Sequence, residues 1–356
     1  MATLDSRTSI IAHAARHGWL IATPLRVLAG WGHAHATPQY EGHRGFASLN
    51  FDGDVRVVYP DTTVVVDSTG ISYVGSETGP MTPTPAPLPA VTVTSDSAEA
   101  YRTQVQAALA YIESGGLEKV VLARPFEADS ESPVDEASVA LALRAIEPTA
   151  TIYAFPAPNG GRFVGASPEL LLEQHGSTIR LEPLAGTAPR GHEDELLGSK
   201  KDRHEHSVMI VNLSDRLRER GVDVSVGPLD FRELSSVVHL ATTLTGELPD
   251  GLRDPQEIAS IVHPTAAVAG IPLEVARKVI EELEVTDRDM YAGAVGWIEG
   301  PDQAQWWVAI RGLIVNGTHL RFWAGAGIVK GSTPESEIAE TELKFRSVAK
   351  IFPTIS

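Results

Sequence analysis

Residues 324–346 read Ala324-Gly-Ala-Gly-Ile-Val-Lys-Gly-Ser-Thr-Pro-Glu-Ser-Glu-Ile-Ala-Glu-Thr-Glu-Leu-Lys-Phe-Arg346. The first half is glycine-rich and predicts a turn. Gly325 and Gly327, flanking Ala326, let the backbone approach a ligand closely with N–H groups free to face an anion. The second half predicts a helix from Ser332, which has capping-box spacing to Glu335, with Pro334 in the first turn. On that helix Glu337 and Glu340 are three residues apart and share a face, and Lys344 follows one turn later. Two carboxylates beside an anion-ready turn suit a divalent cation that bridges the protein to an anionic ligand. Mg2+ is the natural candidate, because it uses few protein carboxylates and keeps some of its waters. For an isolated Glu-x-x-Glu, a solvated helix with ordinary Glu–Lys pairs is the better reading. Here the preceding Gly-Ala-Gly-Ile-Val moves the balance toward a site.

The rest of the composition narrows the choices. The chain has 356 residues, 43% hydrophobic and 21% charged, as in a globular protein. The formal net charge of -17 argues against nucleic acid or an anionic membrane as partner. An anionic substrate therefore needs a local cationic pocket, since the overall field repels it. There is no cysteine, which excludes disulfides, thiolate metal sites and cysteine nucleophiles. No apolar run approaches the roughly 18 residues needed to span a bilayer. Asp5 and Arg7 interrupt any N-terminal apolar core of a secretion signal, so a cytoplasmic enzyme is expected.

In chain order, residues 1 to about 80 predict strands and turns, with Pro60-Asp61 turning between the β-branched runs 55–59 and 62–66. His13, His33, His35 and His43 match no closed zinc spacing and read as scattered loop histidines. The proline-rich stretch 82–89 predicts an extended connector between a strand-rich part, 1–95, and a core, 96–356, of one domain. Residues 95–114 predict an amphipathic helix ended by Gly115-Gly116. Leu117-Glu-Lys-Val-Val-Leu-Ala-Arg124 predicts a buried strand. A lysine at a strand end is ordinarily solvated, yet Lys119 is the first reactive candidate. Strands follow at 151–155 and 162–165, joined by a Pro158-Asn-Gly-Gly161 hairpin. Ser167-Pro168 then breaks the chain and places Glu169 at a turn. Ala185-Gly186-Thr187 predicts a loop able to offer N–H groups and a hydroxyl. Residues 193–220 predict a long helix carrying Glu205 on a polar face, with His204 and His206 on different faces. Further strands are expected at 237–240, 290–297 and 305–314, the last containing Arg311, and a helix at 273–283.

Seven stretches in one order carry a resemblance: KVVLAR, ASPELLL, PLAGTAPRG, DRHEH, HPTAAVAG, YAGAVGW with AIRG, and GAGIV followed by ExxETxxK. Each alone is weak, but together they resemble the chorismate-utilising enzymes, a family that includes isochorismate, salicylate, anthranilate and aminodeoxychorismate synthases. The resemblance spans about residues 100 to 350. It implies one α+β domain: two large antiparallel sheets, stacked and flanked by helices, with the site in a deep cleft. The implied substrate, chorismate, is a dianion. The resemblance makes Glu205, Glu337 and Glu340 magnesium carboxylates, Glu337 through an intervening water. It places Arg311 on the enolpyruvyl carboxylate, Gly186 and Thr187 along the substrate, and His263 beside the ring. Tyr291, the 325–327 backbone and Lys344 complete the cradle. A monomer is expected by the same analogy.

The branches of this family differ at a few positions. Ammonia-using members typically have Gln where this chain has Lys119. Aminodeoxychorismate synthases carry a nucleophilic Lys where it has Ala185. The remaining, water-using branch has Lys119 as general base and Glu169 as general acid. This is sound chemistry, because water attacks C2 while the C4 hydroxyl leaves across the ring. Each group needs the protonation state that is the minority in water, so the surroundings must shift them. Within that branch, salicylate synthases tend to have Thr where this chain has Ala267 and Leu where it has Ile310, whereas Tyr291 is more typical of them. The expectation is an isochorismate synthase, with a salicylate synthase as the alternative. A non-enzymatic binder of chorismate-like anions is disfavoured by the intact Lys119, Glu169 and carboxylates.

Overall fold

The computed structural model describes residues 4–37, 44–75, 85–95 and 97–353. The chain opens with helix α1 (Leu4–His17) and strands β1 (Trp19–Ala22), β2 (Val27–Ala36), β3 (Gly45–Leu49), β4 (Val55–Asp67) and β5 (Gly70–Val74). Next come β6 (Val91–Ser95), α2 (Ala98–Glu113), β7 (Lys119–Ser130), α3 (Glu136–Ile146), β8 (Thr151–Pro156) and β9 (Arg162–Ser167). The middle of the chain forms β10 (Leu170–His175), β11 (Thr178–Glu182), β12 (Leu184–Pro189), α4 (Glu193–Gly198), α5 (Lys200–Arg218), β13 (Asp223–Glu233) and β14 (Val237–Glu247). It closes with α6 (Pro255–Val262), β15 (Gly270–Ile271), α7 (Leu273–Leu283), β16 (Ala294–Gly300), β17 (Gln303–Val308), β18 (Gly312–Asn316), β19 (His319–Val329) and α8 (Pro334–Ala349).

Every strand pairing among the described residues is antiparallel, and the pairings form one path through two layers. The first runs β7–β19–β18–β9–β8–β1–β2–β4. The second runs β4–β3–β16–β17–β10–β11–β14, with β12 and β13 both on β14. The long strand β4 belongs to both layers, its first half on β3 and its second half on β2. The layers face each other across a shared core. Phe46 of β3 meets Phe155 of β8 edge-on at 6.2 Å, and Trp297 and Trp306 pack in the same cluster as Leu122, Tyr153 and Phe163. Outside the first layer, α1, α3 and α8 bury Ile11, Val139, Leu143, Phe345 and Val348 against it. On the second layer, α5 and α6 add Met209, Leu213, Ile258 and Val262 to the main core. This is the single α+β domain with stacked, helix-flanked sheets that the resemblance implies.

Several local expectations are corrected. Residues 4–17 form a helix rather than strands and turns; Ile10, Ile11, Ala14 and Ala15 supply its buried stripe. Pro60-Asp61 is no turn but lies inside β4, opposite a register shift in β2 between Trp31 and Ala34, where a missing N–H is tolerated. The predicted long helix is two, α4 and α5, and the Ser199 hydroxyl at their junction accepts the Asp202 N–H to cap α5. The cap of α8 is Thr333, in a capping box with Ser336, with Pro334 at the first helical position; Ser332 lies outside the helix. Of the four histidines, His33 and His35 are exposed on β2, His13 packs edge-on against Trp31, and His43 lies outside the described residues, as does part of the proline-rich stretch.

Candidate active site

The cleft opens to solvent, and its first wall is the central pair β7 and β19. The predicted glycine turn is strand: Gly325 pairs with Ala123 and Gly327 with Val121, because the ladder to β7 overrides the turn preference of glycine. The glycines serve by what they lack. A Cβ on Gly327 would lie 2.5 Å from Glu205 Oε1 and 3.0 Å from Lys119 Cε, and one on Gly325 would lie 3.0 Å from the Tyr291 hydroxyl oxygen. Ala326 between them is fully buried and off the cleft wall. Helix α5 delivers Glu205, whose Oε1 is 2.8 Å from Lys119 Nζ. Lys119 is 2% exposed and stands behind Glu205 and Gly327 rather than on the wall itself; beyond the ion pair its ammonium has no hydrogen-bond acceptor among the described residues.

Glu169 faces this wall from the break between β9 and β10. Its backbone is pinned on both sides, with its N–H on Ser167 Oγ at 3.3 Å and its C=O accepting the Val308 N–H at 3.1 Å. The side chain is 3% exposed. Burial pushes its carboxyl up to about 7, against the opposing pull of the Leu184 N–H and the charges of Lys119, Lys344 and Arg311. A carboxylic acid held this way carries a proton to give near neutrality.

Arg311 is not in a strand. It occupies the irregular link between β17 and β18 with φ +56, a conformation that costs a non-glycine residue about 1–3 kcal/mol and is retained where the surroundings demand it. Its guanidinium donates to Ser347 Oγ of α8 at 2.8 Å and to His239 Nε2 of β14 at 3.0 Å. His239 Nδ1 in turn lies 3.1 Å from the Gly186 carbonyl and 3.0 Å from the Thr187 hydroxyl. A carbonyl only accepts, so Nδ1 carries the hydrogen and Nε2 is left free to accept from Arg311. Burial, Arg311 and Lys344 all hold this imidazole well below its ordinary titration range, so it stays neutral. Gly186, expected in a loop, is the bulge of β12: the register with β14 slips between Ala185 and Thr187, and its φ of +78 suits glycine. Tyr291 completes this side, stacked on Trp323 at 5.9 Å with its phenol pushed up to about 12 by burial.

Helix α8 closes the cleft. Lys344 Nζ donates to the Gly325 carbonyl at 2.8 Å and pairs with Glu340 at 2.7 Å. Glu337 is fully buried, its Oε1 2.9 Å from Lys201 Nζ and its Oε2 without a hydrogen-bond partner among the described residues. Glu205 and Glu340 both line the cleft, whereas Glu337 stands behind it. Among the described residues no three His, Asp or Glu side chains are gathered as a ready metal cage, and each of these carboxylates is met by a lysine. The donor chemistry nevertheless fits a hard cation: oxygen ligands only, two of them on one cleft, and a buried orphan oxygen on the third.

Residues 73–352 match the family described as chorismate binding enzyme. The chain belongs to that family. Over 270 residues it is 34% identical to isochorismate synthase DhbC of Bacillus subtilis, covering 71% of this chain and 67% of the relative. Over 261 residues it is 33% identical to isochorismate synthase EntC of Escherichia coli strain K12, covering 71% and 66%. The chain thus aligns with about two thirds of the length of these relatives. The crystal structure of DhbC from Bacillus anthracis superposes with a TM-score of 0.82 at 26% identity, covering 97% of this chain and 99% of that one.

Of the site residues expected for a family member, Glu169, Gly186, Thr187, Glu205, Tyr291, Arg311, Gly325, Gly327, Glu340 and Lys344 share the cleft wall. His263 does not. It is buried with Nε2 3.0 Å from the Asn50 carbonyl, and that hydrogen bond takes it away from the cleft. The histidine on the wall is His239, which sequence reasoning missed. The available signal was a polar residue inside the apolar run Val237-Val238-His239-Leu240, where burial demands partners. Lys201, the partner of Glu337, and Arg288, on the cleft wall, were missed too. Both are long cations beside acidic residues, a pattern too common on surfaces to single out.

Proposed function

We propose that this chorismate-binding enzyme is an isochorismate synthase, converting chorismate to isochorismate by attack of water at C2 and loss of the C4 hydroxyl. The observation that carries the reading is Glu169: a carboxyl in the cleft whose burial keeps it protonated up to about pH 7. It is suited to protonate the departing C4 hydroxyl, which leaves as water. Lys119 takes the proton from the attacking water, so one water is consumed and one released. The base is its neutral amine, so the ammonium that pairs with Glu205 behind the wall must first give up its proton to solvent. Arg311, its guanidinium oriented by neutral His239 and Ser347, takes the enolpyruvyl carboxylate. Lys344 and the Gly186–Thr187 bulge border the ring.

Glu205, Glu340 and, behind them, Glu337 would hold Mg2+, the choice supported by their all-oxygen donor set. When bound, the ion supplies positive charge for the ring carboxylate of the dianion. The homologues named above support the reading. So does Ala185, which leaves no lysine nucleophile on the bulge of β12. A second reading, a salicylate synthase that also eliminates pyruvate, draws on Tyr291, whose ring stands on the cleft wall beside Ala267 and Ile310. The water step is tested in H2-18O with Mg2+. Wild type is expected to form isochorismate carrying one 18O at C2, and Lys119→Ala to form none while binding chorismate within a few-fold. Isochorismate without label, or near-normal turnover by the variant, contradicts the assignment.

A further inference from the structure

The buried pair Arg288–Glu284 is joined to the cleft in a way that stability does not require. Glu284 follows the last turn of α7, and Arg288 lies in the segment leading to Tyr291. Arg288 Nε and Nη2 donate to Glu284 Oε2 and Oε1 at 2.8 and 2.6 Å. The other bonds of the guanidinium go to backbone: Nη1 to the Val268 carbonyl and Nη2 to the Val121 carbonyl, both at 2.8 Å. Glu284 Oε1 also accepts the Ala123 N–H at 2.7 Å. One face of the guanidinium lies 4.1 Å from the Phe51 ring centroid.

These partners share a position in the fold. β7 has β19 along one edge, but on its other edge β15 covers only Lys119 and Val120, and β6 begins only at Glu127. Between them the Val121 carbonyl and the Ala123 N–H are taken by Arg288 and Glu284, which stand in for the absent strand. The same guanidinium holds Val268, next to Ala267, and the Arg288 carbonyl accepts the Tyr291 N–H at 2.7 Å. Val121, Ala267, Val268, Tyr291 and Arg288 itself line the cleft, and a second, outer cavity lies on the far side of Arg288. A buried ion pair is seldom better for stability than apolar side chains of the same volume. What this one adds is a fixed distance between two facing parts of the cleft wall.

We propose that Arg288 and Glu284 are positioning residues for the reaction, clamping the β7 wall against the 265–269 loop and the Tyr291 turn so that the ring is held between them. The inference rests on the isochorismate synthase reading for its chemistry, and on the hydrogen bonds alone for its mechanics. Arg288→Lys keeps the charge but cannot reach Glu284, Val268 and Val121 together. Glu284→Gln is nearly isosteric and loses one acceptor of the fork.

The test has two arms, run on folded protein well below its melting temperature. In the first, each variant is expected to lower kcat for chorismate by about tenfold or more while KM moves by less than about threefold, as for a group that acts on orientation. The double variant should be no worse than Arg288→Lys alone, because the pair works as one unit. In the second, hydrogen exchange should quicken at Ala123 and across 265–269 in both variants, with β8, β9 and β16 unchanged. Local loosening with wild-type kcat would overturn the positioning role while leaving the isochorismate synthase reading intact. Exchange unchanged at Ala123 and in the loop would overturn the clamp. A wild type inert toward chorismate would instead overturn the reading, and the exchange arm would still decide the clamp. If Arg288→Lys does not fold, Glu284→Gln carries both arms.

Discussion

Glu169 is useful because its carboxyl is kept from water, and that has two measurable consequences. Its folded-state value, about 7, lies above the ordinary 4.5, so the folded protein holds this proton more tightly than the unfolded chain does. The resulting stability is fully present below about pH 4.5 and lost as pH rises through about 7. Glu169→Gln should therefore abolish turnover yet melt higher than wild type at pH 8, by up to about 3 kcal/mol, with little difference at pH 4. Wild-type turnover should fall on the alkaline side of about pH 7 as the acid ionises. Equal melting of the two proteins at pH 8 would show that the carboxyl is not buried in this way. The sequence made the residue legible, since Ser167-Pro168 ends a strand just before it, but not its environment. Histidine shows the limit from the other side. His263 stands in a proline-anchored motif that reads as a site and faces the Asn50 carbonyl, whereas His239 stands in an unremarked apolar strand and holds Arg311. Side-chain direction depends on tertiary packing, which residue type and spacing do not encode.

At the scale of elements, α8 was the most readable part of the chain, because capping and i,i+3 spacing are local rules. The cap shifted by one residue, from Ser332 to Thr333, and the carboxylate face stayed. β19 was misread because glycine signals a turn locally, while the eleven-residue ladder from His319↔Asp129 to Val329↔Lys119 makes it a central strand. The α8 reading carries the metal prediction. Glu340→Gln should weaken Mg2+ binding by about tenfold or more in calorimetry. The same change should remove most activity without unfolding the helix, whose cap lies two turns away. EDTA should silence wild type and Mg2+ restore it. Full turnover in EDTA would contradict the metal site.

Over the whole molecule, fold class was legible and topology was not. The β-branched runs announce strands, but nothing local pairs Gly45 with Ile298 or Leu20 with Ala154, and those pairings bind the N-terminal strands into both layers. The same architecture reconciles a net charge of -17 with a dianionic substrate: Lys344, Lys119 and Lys201 are offset by Glu340, Glu205 and Glu337, so the positive charge would come from Arg311, which pairs with no carboxylate among the described residues, and from the Mg2+ those carboxylates would hold. What the cleft does with its substrate is the central claim, and the outcome turns on its narrowest differences. In the proposed reading Ala267 would leave room beside the enolpyruvyl group, Ile310 would adjoin the carboxylate grip of Arg311, and Tyr291 would favour the longer reaction; all four line the cleft. The direct measurement is an NMR time course of purified protein with chorismate and Mg2+ at neutral pH. The account predicts isochorismate approaching a reversible equilibrium with chorismate, with at most traces of salicylate. Stoichiometric salicylate and pyruvate would contradict it and make Tyr291, not Ala267, the residue that sets where the reaction stops.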